Sequence, residues 1–147
     1  MTIRRVLPAD AENLAAIERE CSVRPWSTAS IQQQVSKPGT AAWTVLANHD
    51  PVGHLLTHQV LDEAEILTIA VLPQQRRRGH ASSLMLAAIE HWRATGVHRA
   101  YLEVRVGNSG AIHLYERFGW TPTGRRMAYY SDGSDALCMS LVVGEPC

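Results

Sequence analysis

The residues best suited to chemistry lie in three places, and the first is an arginine-rich loop. It reads Gln75-Arg76-Arg77-Arg78-Gly79-His80-Ala81-Ser82-Ser83 and joins an apolar, β-branched segment to the most regular predicted helix. A helix N-terminus offers unpaired N–H groups and a positive dipole end, Gly79 allows close backbone approach, and arginines add charge-assisted contacts. These features suit a diphosphate. The loop lacks the residues of a Walker motif or a dinucleotide fingerprint, so an ordinary loop with solvated arginines is the alternative.

The second candidate is a carboxylate on a predicted strand. Glu103 points to the opposite face from the apolar residues around it, which are Ala100, Leu102, Val104 and Val106. A carboxylate on a central strand needs a partner or a role, and general base catalysis is one such role. A salt bridge to Arg105 on the same face is the structural alternative.

The third candidate is Tyr115, whose phenol could donate a proton. Its neighbours Ile112, Leu114 and Phe118 favour an aromatic core anchor with a hydrogen-bonded hydroxyl, as judged from periodicity alone. Only a family motif would change that interpretation.

Other reactive side chains support weaker hypotheses. His54 and His58 are four apart, but four residues of a strand span about 13 Å, so no shared metal site is expected. Cys138 is expected to be a small buried residue in the last strand, and no cysteine is expected in position for an acyl-enzyme. Arg125 and Arg126 could contact a phosphate or nucleic acid, although a solvated turn is the simpler interpretation.

Periodicity and turn signals predict elements in the order β-α-α-β-β-β-α-β-α-β-β. The predicted strands are Ile3 to Leu7, Ala41 to Ala47, Val52 to Leu61, Glu65 to Leu72, Ala100 to Val106, Met127 to Tyr130 and Ala136 to Val143. The predicted helices run from a cap at Asp10 to Cys21, from Ser27 or Ser30 to Val35, from Ala81 to Trp92, and from a cap at Asn108 or Ser109 to Phe118. The unit from Glu65 to Val106 should be a right-handed parallel crossover between antiparallel hairpins. This predicts an α/β (α+β) fold, with a mixed, mostly antiparallel sheet of about seven strands and helices on both faces.

Composition places these elements in one domain, residues 1–147. Hydrophobic residues make up 46%, and Lys plus Arg and Asp plus Glu each number 14, which argues against a chain-wide nucleic-acid or membrane binder. Lys37 is the only lysine, which disfavours an activated-lysine mechanism. The odd count of cysteines (Cys21, Cys138, Cys147) makes no disulfide framework, and no apolar stretch suits a signal peptide or a membrane span. We expect a soluble, cytoplasmic protein with reduced thiols.

Several motifs together carry a family resemblance. Arg76-x-x-Gly79-x-Ala81, after the strand Glu65 to Val71, resembles the acetyl-CoA signature Gln/Arg-x-x-Gly-x-Gly/Ala of the GNAT superfamily of N-acetyltransferases. The further segments are Leu102-Glu103-Val104-Arg105, Asn108 to Trp120, Tyr129 to Ala136 and Pro25-Trp26-Ser27. With these, the chain is similar to the RimI type, the ribosomal-protein-alanine N-acetyltransferases, over about its whole length.

The resemblance implies the GNAT fold, acetyl-CoA as cosubstrate without a metal, and a role for each matching residue. Ile69, Ala70 and Val71 would pair their backbone with the pantetheine arm, as an added strand would. Glu103 would be the general base and Tyr115 the general acid, with direct transfer in a ternary complex. The cofactor-binding residues implied are Ile69, Ala70, Val71, Arg76, Arg77, Arg78, Gly79, His80, Ala81, Ser82, Asn108 and Tyr115.

The resemblance also implies the acceptor, the N-terminal alanine of small-subunit ribosomal protein eighteen, whose early residues are rich in arginine and aromatics. Asp132 and Asp135 could pair with its arginines, and Trp26, Tyr129 and Tyr130 could stack on guanidinium planes. A solvated hairpin tip and a core tryptophan are the alternative. No membrane or direct nucleic-acid partner is expected, and the chain is expected to be a monomer or weak dimer.

Two departures from the family pattern affect peptide preference more than catalysis. Ser131 and Ala128 stand where proline and asparagine often flank the tyrosine pair. A lysine side chain or a small amine is the alternative acceptor. A non-catalytic acetyl-CoA-binding module is the alternative from another class, but a sensor would need neither Glu103 nor Tyr115.

Overall fold

The computed structural model describes residues 2–144, so the expectation of a reduced thiol at Cys147 lies outside the described residues. Within that range the strands are β1 (Thr2–Arg5), β2 (Thr40–Ala47), β3 (Asp50–Val60), β4 (Glu63–Val71), β5 (Arg99–Arg105), β6 (Thr121–Arg126) and β7 (Ala136–Val142). The helices are α1 (Ala11–Cys21), α2 (Thr28–Val35), α3 (His80–Ala94) and α4 (Ser109–Arg117), with short 3₁₀ turns at Pro8–Asp10 and Pro73–Gln75. The predicted order of elements is confirmed. No helix between residues 2 and 144 is long and apolar enough to span a membrane.

The strands form one mixed sheet in the order β1-β2-β3-β4-β5-β7-β6. Every neighbouring pair is antiparallel except β4 and β5, which are parallel and connected through α3. A parallel pair needs a crossover connection, and the amphipathic helix supplies it. The mixed, mostly antiparallel sheet is therefore confirmed.

The parallel ladder between β4 and β5 is short. It pairs Glu63 with Arg99 and ends where Glu65 meets Tyr101. Just beyond that point β4 carries a bulge: in its pairing with β3 the register skips Leu67. A bulge bends its strand and increases the local twist, so β4 turns away from β5.

Helices cover both faces of the sheet, as predicted. On one face α1 and α2 bury Leu14 and Ile31 against Ala42 and Leu56 of the sheet. On the other face α3 and α4 pack on the larger cluster, whose fully buried members are Val45, Leu55, Leu84, Met85, Ala88, Trp92 and Ala100. The alternation of apolar residues in β2 and β3 serves both faces, because successive side chains of a strand point in opposite directions.

Two predicted helix caps are confirmed and one is changed. The Ser27 hydroxyl accepts from Ser30 N–H (3.1 Å) at the start of α2, and the Asn108 side chain accepts from Ala111 N–H (3.2 Å) at the start of α4. Asp10 occupies the cap position of α1 without capping it. Its carboxylate instead accepts two 2.8 Å hydrogen bonds from Arg4 and one from the Leu7 N–H. Together these hydrogen bonds hold the pKa of Asp10 below its usual value.

The position of the sixth strand was predicted wrongly. The strand is Thr121–Arg126, whereas the predicted segment Met127 to Tyr130 forms a turn. All six residues of β6 are exposed at the edge of the sheet, so no apolar alternation marks it, and Pro122 is tolerated there. Ala128 has φ +50°, in the left-handed region, which ends any extended segment through the tyrosine pair.

Candidate active site

Where β4 and β5 separate, a central cleft of about 1000 Å³ opens between them. The predicted site residues that line it are Trp26, Ile69, Glu103, Asn108, Tyr115, Tyr129 and Tyr130. Cys21, Arg24, Arg105, Arg126 and Cys138 line it as well. The splayed strands thus bring together residues as distant in the sequence as Trp26 and Tyr130.

The ladder between β3 and β4 decides which backbone groups face the central cleft. Leu72 N–H donates to the Val52 carbonyl (2.9 Å), which makes this a hydrogen-bonded pair. Pairs alternate along an antiparallel ladder, so the positions of Val71 and Ile69 are non-hydrogen-bonded ones. Their N–H and C=O groups point away from β3, toward the side that β5 has left. Ala70, between them, directs its backbone to β3.

Two side chains donate to the Val71 carbonyl at the end of β4. They are the Cys21 thiol, at 3.5 Å, and Arg76 Nε, at 3.1 Å. Burial raises the pKa of Cys21 even though Arg76 acts in the opposite sense, which keeps the thiol protonated. Cys138, which was expected to be buried, is only partly buried, and it lines the central cleft together with Cys21.

The arginine-rich loop lies beyond the end of β4 and leads into α3. Gly79 has φ +81°, a conformation that glycine adopts without strain, and its carbonyl accepts the first helical hydrogen bond, from Ser83 N–H at 3.0 Å. The first N–H groups of α3, those of Ala81 and Ser82 among them, therefore point out of the helix end. This end of the helix has the geometry of an anion site.

The loop's charged side chains differ in how they are used. Arg76, Arg77 and Arg78 are all exposed, but Arg76 is turned back onto β4, where its Nε donates to the Val71 carbonyl. His80 is buried at the start of α3, and burial together with the nearby charge of Arg78 lowers its pKa. Two of the three predicted arginines thus stay available to an anion.

Glu103 lies on β5 as predicted, pointing away from the buried Leu102 and Val104 and into the central cleft. The expected alternative, an ion pair with Arg105, is not what forms. Glu103 Oε1 lies 3.6 Å from Arg126 Nη2, and both side chains keep solvent contact, at 30% and 58% exposure. A carboxylate in this position is accessible to a ligand.

Tyr115 combines the two interpretations that the sequence left open. Its ring is buried in the main core, 6.2 Å from that of Trp120, and it also lines the central cleft. Burial raises the pKa of its phenol, and the neighbouring Tyr130 adds to the effect. The hydroxyl therefore stays protonated at all ordinary pH values and can act as a donor, not as a base.

The opposite end of the central cleft is built from tyrosines and arginines. The rings of Tyr129 and Tyr130 meet edge-on with centroids 5.1 Å apart. Arg24 lies 4.5 Å over the Tyr129 ring and donates to its backbone carbonyl, Arg126 lies 5.3 Å from the same ring, and Arg105 lies 5.6 Å from Tyr130. The α1–α2 loop thus contacts the β6–β7 loop across the cleft. Sequence reasoning missed Arg24, because its partner is 105 positions away.

The two acidic residues predicted to bind an acceptor already have partners within the chain. Asp132 pairs with Arg105 and accepts from Ser134, which lowers its pKa, and Asp135 lies 3.3 Å from Arg125. The predicted solvated turn at Arg125 and Arg126 is therefore a strand segment engaged in ion pairs. Neither aspartate lines the central cleft.

A buried polar cluster under the cleft was also missed. Glu18 of α1 and His54 of β3 are both fully buried, with 2.7 Å between Glu18 Oε2 and His54 Nε2. Thr68 Oγ1 donates to the same oxygen, and Ser22 Oγ and Trp26 N–H donate to Oε1. Burial opposes the charge of Glu18, but these donors, His54 first among them, lower its pKa on balance. Glu18 is therefore ionised.

The strand assignment of His54 and His58 is confirmed, since both lie on β3. They have different partners: His54 binds Glu18, and His58 Nε2 lies 3.2 Å from the Pro38 carbonyl. Between residues 2 and 144 there is no group of three or more His, Cys, Asp or Glu side chains arranged to hold a metal ion.

Comparison with known proteins agrees with this geometry. Residues 11–120 match the model of the Acetyltransferase (GNAT) family. The [ribosomal protein bS18]-alanine N-acetyltransferase of Escherichia coli is 31% identical over 97% of this chain and 97% of its own length. The crystal structure of the corresponding E. coli enzyme has a TM-score of 0.92 at 30% identity, covering 99% of this chain and 96% of that one.

A second structure shares the fold at lower identity. Arabidopsis thaliana NAA60 in complex with acetyl-CoA has a TM-score of 0.86 at 20% identity, covering 97% of this chain and 98% of that one. The family model covers most of the chain, and this chain therefore belongs to the GNAT family of acetyltransferases. It is an acetyl-CoA-dependent N-acetyltransferase.

Proposed function

We propose that this chain acetylates the N-terminal alanine of ribosomal protein bS18 by direct transfer from acetyl-CoA in a ternary complex. The observation that carries the proposal is the central cleft, into which Glu103, Tyr115 and the free backbone of β4 all face. The E. coli relative, similar over nearly the whole chain, bears that activity in its name. We also propose that residues 1–147 act as one cytoplasmic domain, monomeric or weakly dimeric, without direct nucleic-acid contact.

The residues at the end of β4 and the start of α3 fit acetyl-CoA, which supplies the acetyl group as a thioester. We call Ile69, Val71 and residues 76–82 the cofactor side of the central cleft. The outward N–H and C=O groups of Ile69 can pair with an amide-bearing chain as a neighbouring strand would, whereas the Val71 carbonyl already accepts from Arg76 and Cys21. The N-terminal turn of α3, with Arg77 and Arg78, suits a diphosphate. Asn108 lines the cleft after β5 and would contact the cofactor there.

Glu103 is the group that removes the proton from the acceptor. An α-amine has a pKa of about 7.7–8.0 and arrives largely as an ammonium, which cannot attack a carbonyl until it loses a proton. Glu103 lies accessible in the cleft and accepts that proton directly or through one water. A carboxylate also attracts the ammonium before the transfer.

Tyr115 is the group that returns a proton to the departing thiolate. Nitrogen forms its bond to the acetyl carbon as the carbon–sulfur bond breaks, and the sulfur takes the phenolic proton. The second proton that the nitrogen must lose then restores the phenol, so that the products are the amide and the free thiol. A phenol of ordinary pKa about 10 is a weaker acid than a thiol of about 8.5, so the transfer is about 2 kcal/mol uphill unless it is concerted with bond breaking. Burial raises the pKa of Tyr115 further, which makes a concerted transfer the consistent route.

The Val71 N–H is the donor for the negative charge that develops on the acetyl oxygen. It points toward the cleft, and its own carbonyl is fixed by Arg76 and the Cys21 thiol. A donor held in place before the reaction stabilises developing charge without reorganisation. The protonated Cys21 thiol is a poor nucleophile, which favours direct transfer over an acetyl-enzyme.

Residues 22–26 and the β6–β7 loop, residues 127–135, form what we call the acceptor side. Tyr129, Tyr130 and Trp26 line the cleft there and can stack on the acceptor's arginines. Asp132 and Asp135 contribute through exchange of their present arginine partners for those of the acceptor. This exchange makes their share of the binding energy smaller than that of free carboxylates, since one ion pair replaces another.

The test compares acetylation of a short peptide that begins with the bS18 alanine with that of the same peptide carrying glutamine for arginine. We expect a higher kcat/KM for the natural peptide, measured by mass spectrometry of the N-terminus. Equal values, or faster acetylation of free lysine or a polyamine, would overturn the ribosomal assignment and leave the acetyltransferase class intact.

A further inference from the structure

The buried carboxylate of Glu18 touches neither reacting group, yet it contacts two segments that line the central cleft, β4 and residues 22–26. Four donors from three different parts of the chain converge on its two oxygens. A buried charge persists only where such donors replace water, and arranging four of them requires their backbones to hold fixed positions. The cluster therefore constrains the elements that supply its donors.

On the β4 wall the constrained residue is Thr68. It is the first residue after the bulge at Leu67, and its hydroxyl lies 2.9 Å from Glu18 Oε2. His54, on the neighbouring strand, donates to the same oxygen at 2.7 Å. Glu18 thus anchors β4 at the point where it turns away from β5.

On the acceptor side the constrained segment is residues 22–26. Ser22 Oγ and Trp26 N–H donate to Glu18 Oε1 at 3.0 and 3.2 Å, one from each end of the segment. Arg24, between them, reaches across the cleft to Tyr129. The position of residues 22–26 therefore determines how they meet the β6–β7 loop across the cleft.

We infer that Glu18 is a positioning residue for acceptor binding, acting through residues 22–26 and Thr68. The inference rests on the proposed function, since it concerns the affinity of that site for an N-terminal peptide. The cofactor side depends less on Glu18, because the flanking residues Ala70 and Leu72 are hydrogen-bonded to β3 and keep Ile69 and Val71 in register. A substitution of Glu18 should therefore weaken binding of the acceptor peptide more than binding of acetyl-CoA.

Glu18→Gln keeps the side-chain volume but replaces one acceptor oxygen by an NH₂ group and removes the negative charge. One pair of donors, His54 with Thr68 or Ser22 with Trp26, then loses its acceptor, and the other pair binds a neutral oxygen in place of a charged one. We expect the KM for the bS18 peptide to rise about tenfold, the scale of a hydrogen bond to a charged group, while the KM for acetyl-CoA stays within about twofold. Hydrogen exchange of the amides in residues 22–26 should quicken. Ser22→Ala removes one donor and leaves the Glu18–His54 pair, so it provides the same test if Glu18→Gln does not fold.

The matched control is Thr57→Val. Its hydroxyl is buried and donates to the Ala41 carbonyl at 2.7 Å, and Thr57 neither lines the cleft nor contacts Glu18 or its donors, although its strand partner Ile66 lines the cleft. It should lower Tm without changing either KM. Equal changes in both KM values, or a Glu18→Gln enzyme with unchanged peptide KM and unchanged exchange in residues 22–26, would overturn the inference. A wild-type enzyme that does not acetylate the peptide would contradict the proposed function instead, and the exchange measurement would still decide the role of Glu18.

Discussion

On the cofactor side of the central cleft the groups that face a ligand belong mostly to the main chain: the outward N–H groups of Ile69 and Val71 and the first turn of α3. On the acceptor side they belong to side chains, and these already contact one another, as Arg24 and Tyr129 do. Main-chain recognition depends on register and helix position, so it tolerates many side chains. Side-chain recognition depends on residue identity. The two sides should therefore respond differently to substitution.

The largest effect is expected where the two sides meet. Glu103→Gln and Tyr115→Phe should each lower kcat by about 10²–10⁴-fold, the usual contribution of general acid–base groups, with the Tm shift by acetyl-CoA retained. For Glu103→Gln part of the loss should return at high pH, because the acceptor amine is then already neutral. Steady-state assays between pH 6 and 10 would measure both effects. If Tyr115→Phe keeps its turnover and loses stability, Tyr115 is only a core anchor.

Wild-type kcat should show no alkaline loss from Tyr115 over the same range. Burial raises the pKa of its phenol, so the proton that the mechanism needs stays bound throughout. An alkaline limb that disappears in Tyr115→Phe would contradict this assignment.

Breaking the cofactor side alone should have the next largest effect. At Gly79 a Cβ would meet no atom within 4 Å, but φ is +81°, so Gly79→Val strains the backbone without a clash. We expect the apo fold to be little changed, with a loss of stability from this strain that is similar in Gly79→Val and in its control. The increase in Tm with acetyl-CoA, which reflects binding to the native state, should fall sharply in Gly79→Val alone. Gly96→Val is the matched control, since Gly96 has the same φ and the same open surroundings at the far end of α3. An undiminished Tm shift in Gly79→Val would show that this loop does not bind the diphosphate.

Breaking the acceptor side at its exposed contacts should have a smaller effect. Arg24→Met removes one guanidinium from Tyr129 and its link across the cleft. An exposed cation–π contact contributes about 0.5–1 kcal/mol, so the KM for the peptide should rise about threefold with the KM for acetyl-CoA unchanged. A fall in peptide KM would show that Arg24 occupies the place of an acceptor arginine.

The smallest effect is expected at Cys21. Cys21→Ala should keep kcat within about twofold, and mass spectrometry of the wild type mixed with acetyl-CoA should show no acetylated cysteine. The raised pKa also predicts slow alkylation of Cys21 at neutral pH, because the thiolate is the reactive form. Loss of turnover in Cys21→Ala together with an acetylated thiol would replace direct transfer by a two-step route.

The same contrast explains what could be read from the sequence. The strand, loop and helix of the cofactor side are consecutive in the chain, so local patterns predicted them closely. The acceptor side and its support include contacts between residues far apart in the sequence, and no local pattern records them. Glu18 and His54 are 36 positions apart, and Arg24 and Tyr129 are 105 apart. β6 was misplaced for a related reason, since a fully exposed edge strand has no apolar face to mark it.

The bulge at Leu67 has a consequence for insertions and deletions. A strand without that extra residue would run straight on beside β5, and the two would hydrogen-bond past Glu65 and Tyr101 into a continuous sheet. Deleting that one residue would then close the cleft, although Glu103 and Tyr115 would both still be present in the sequence. Among related sequences, gaps should be tolerated at the hairpin of residues 48–49 and absent at position 67.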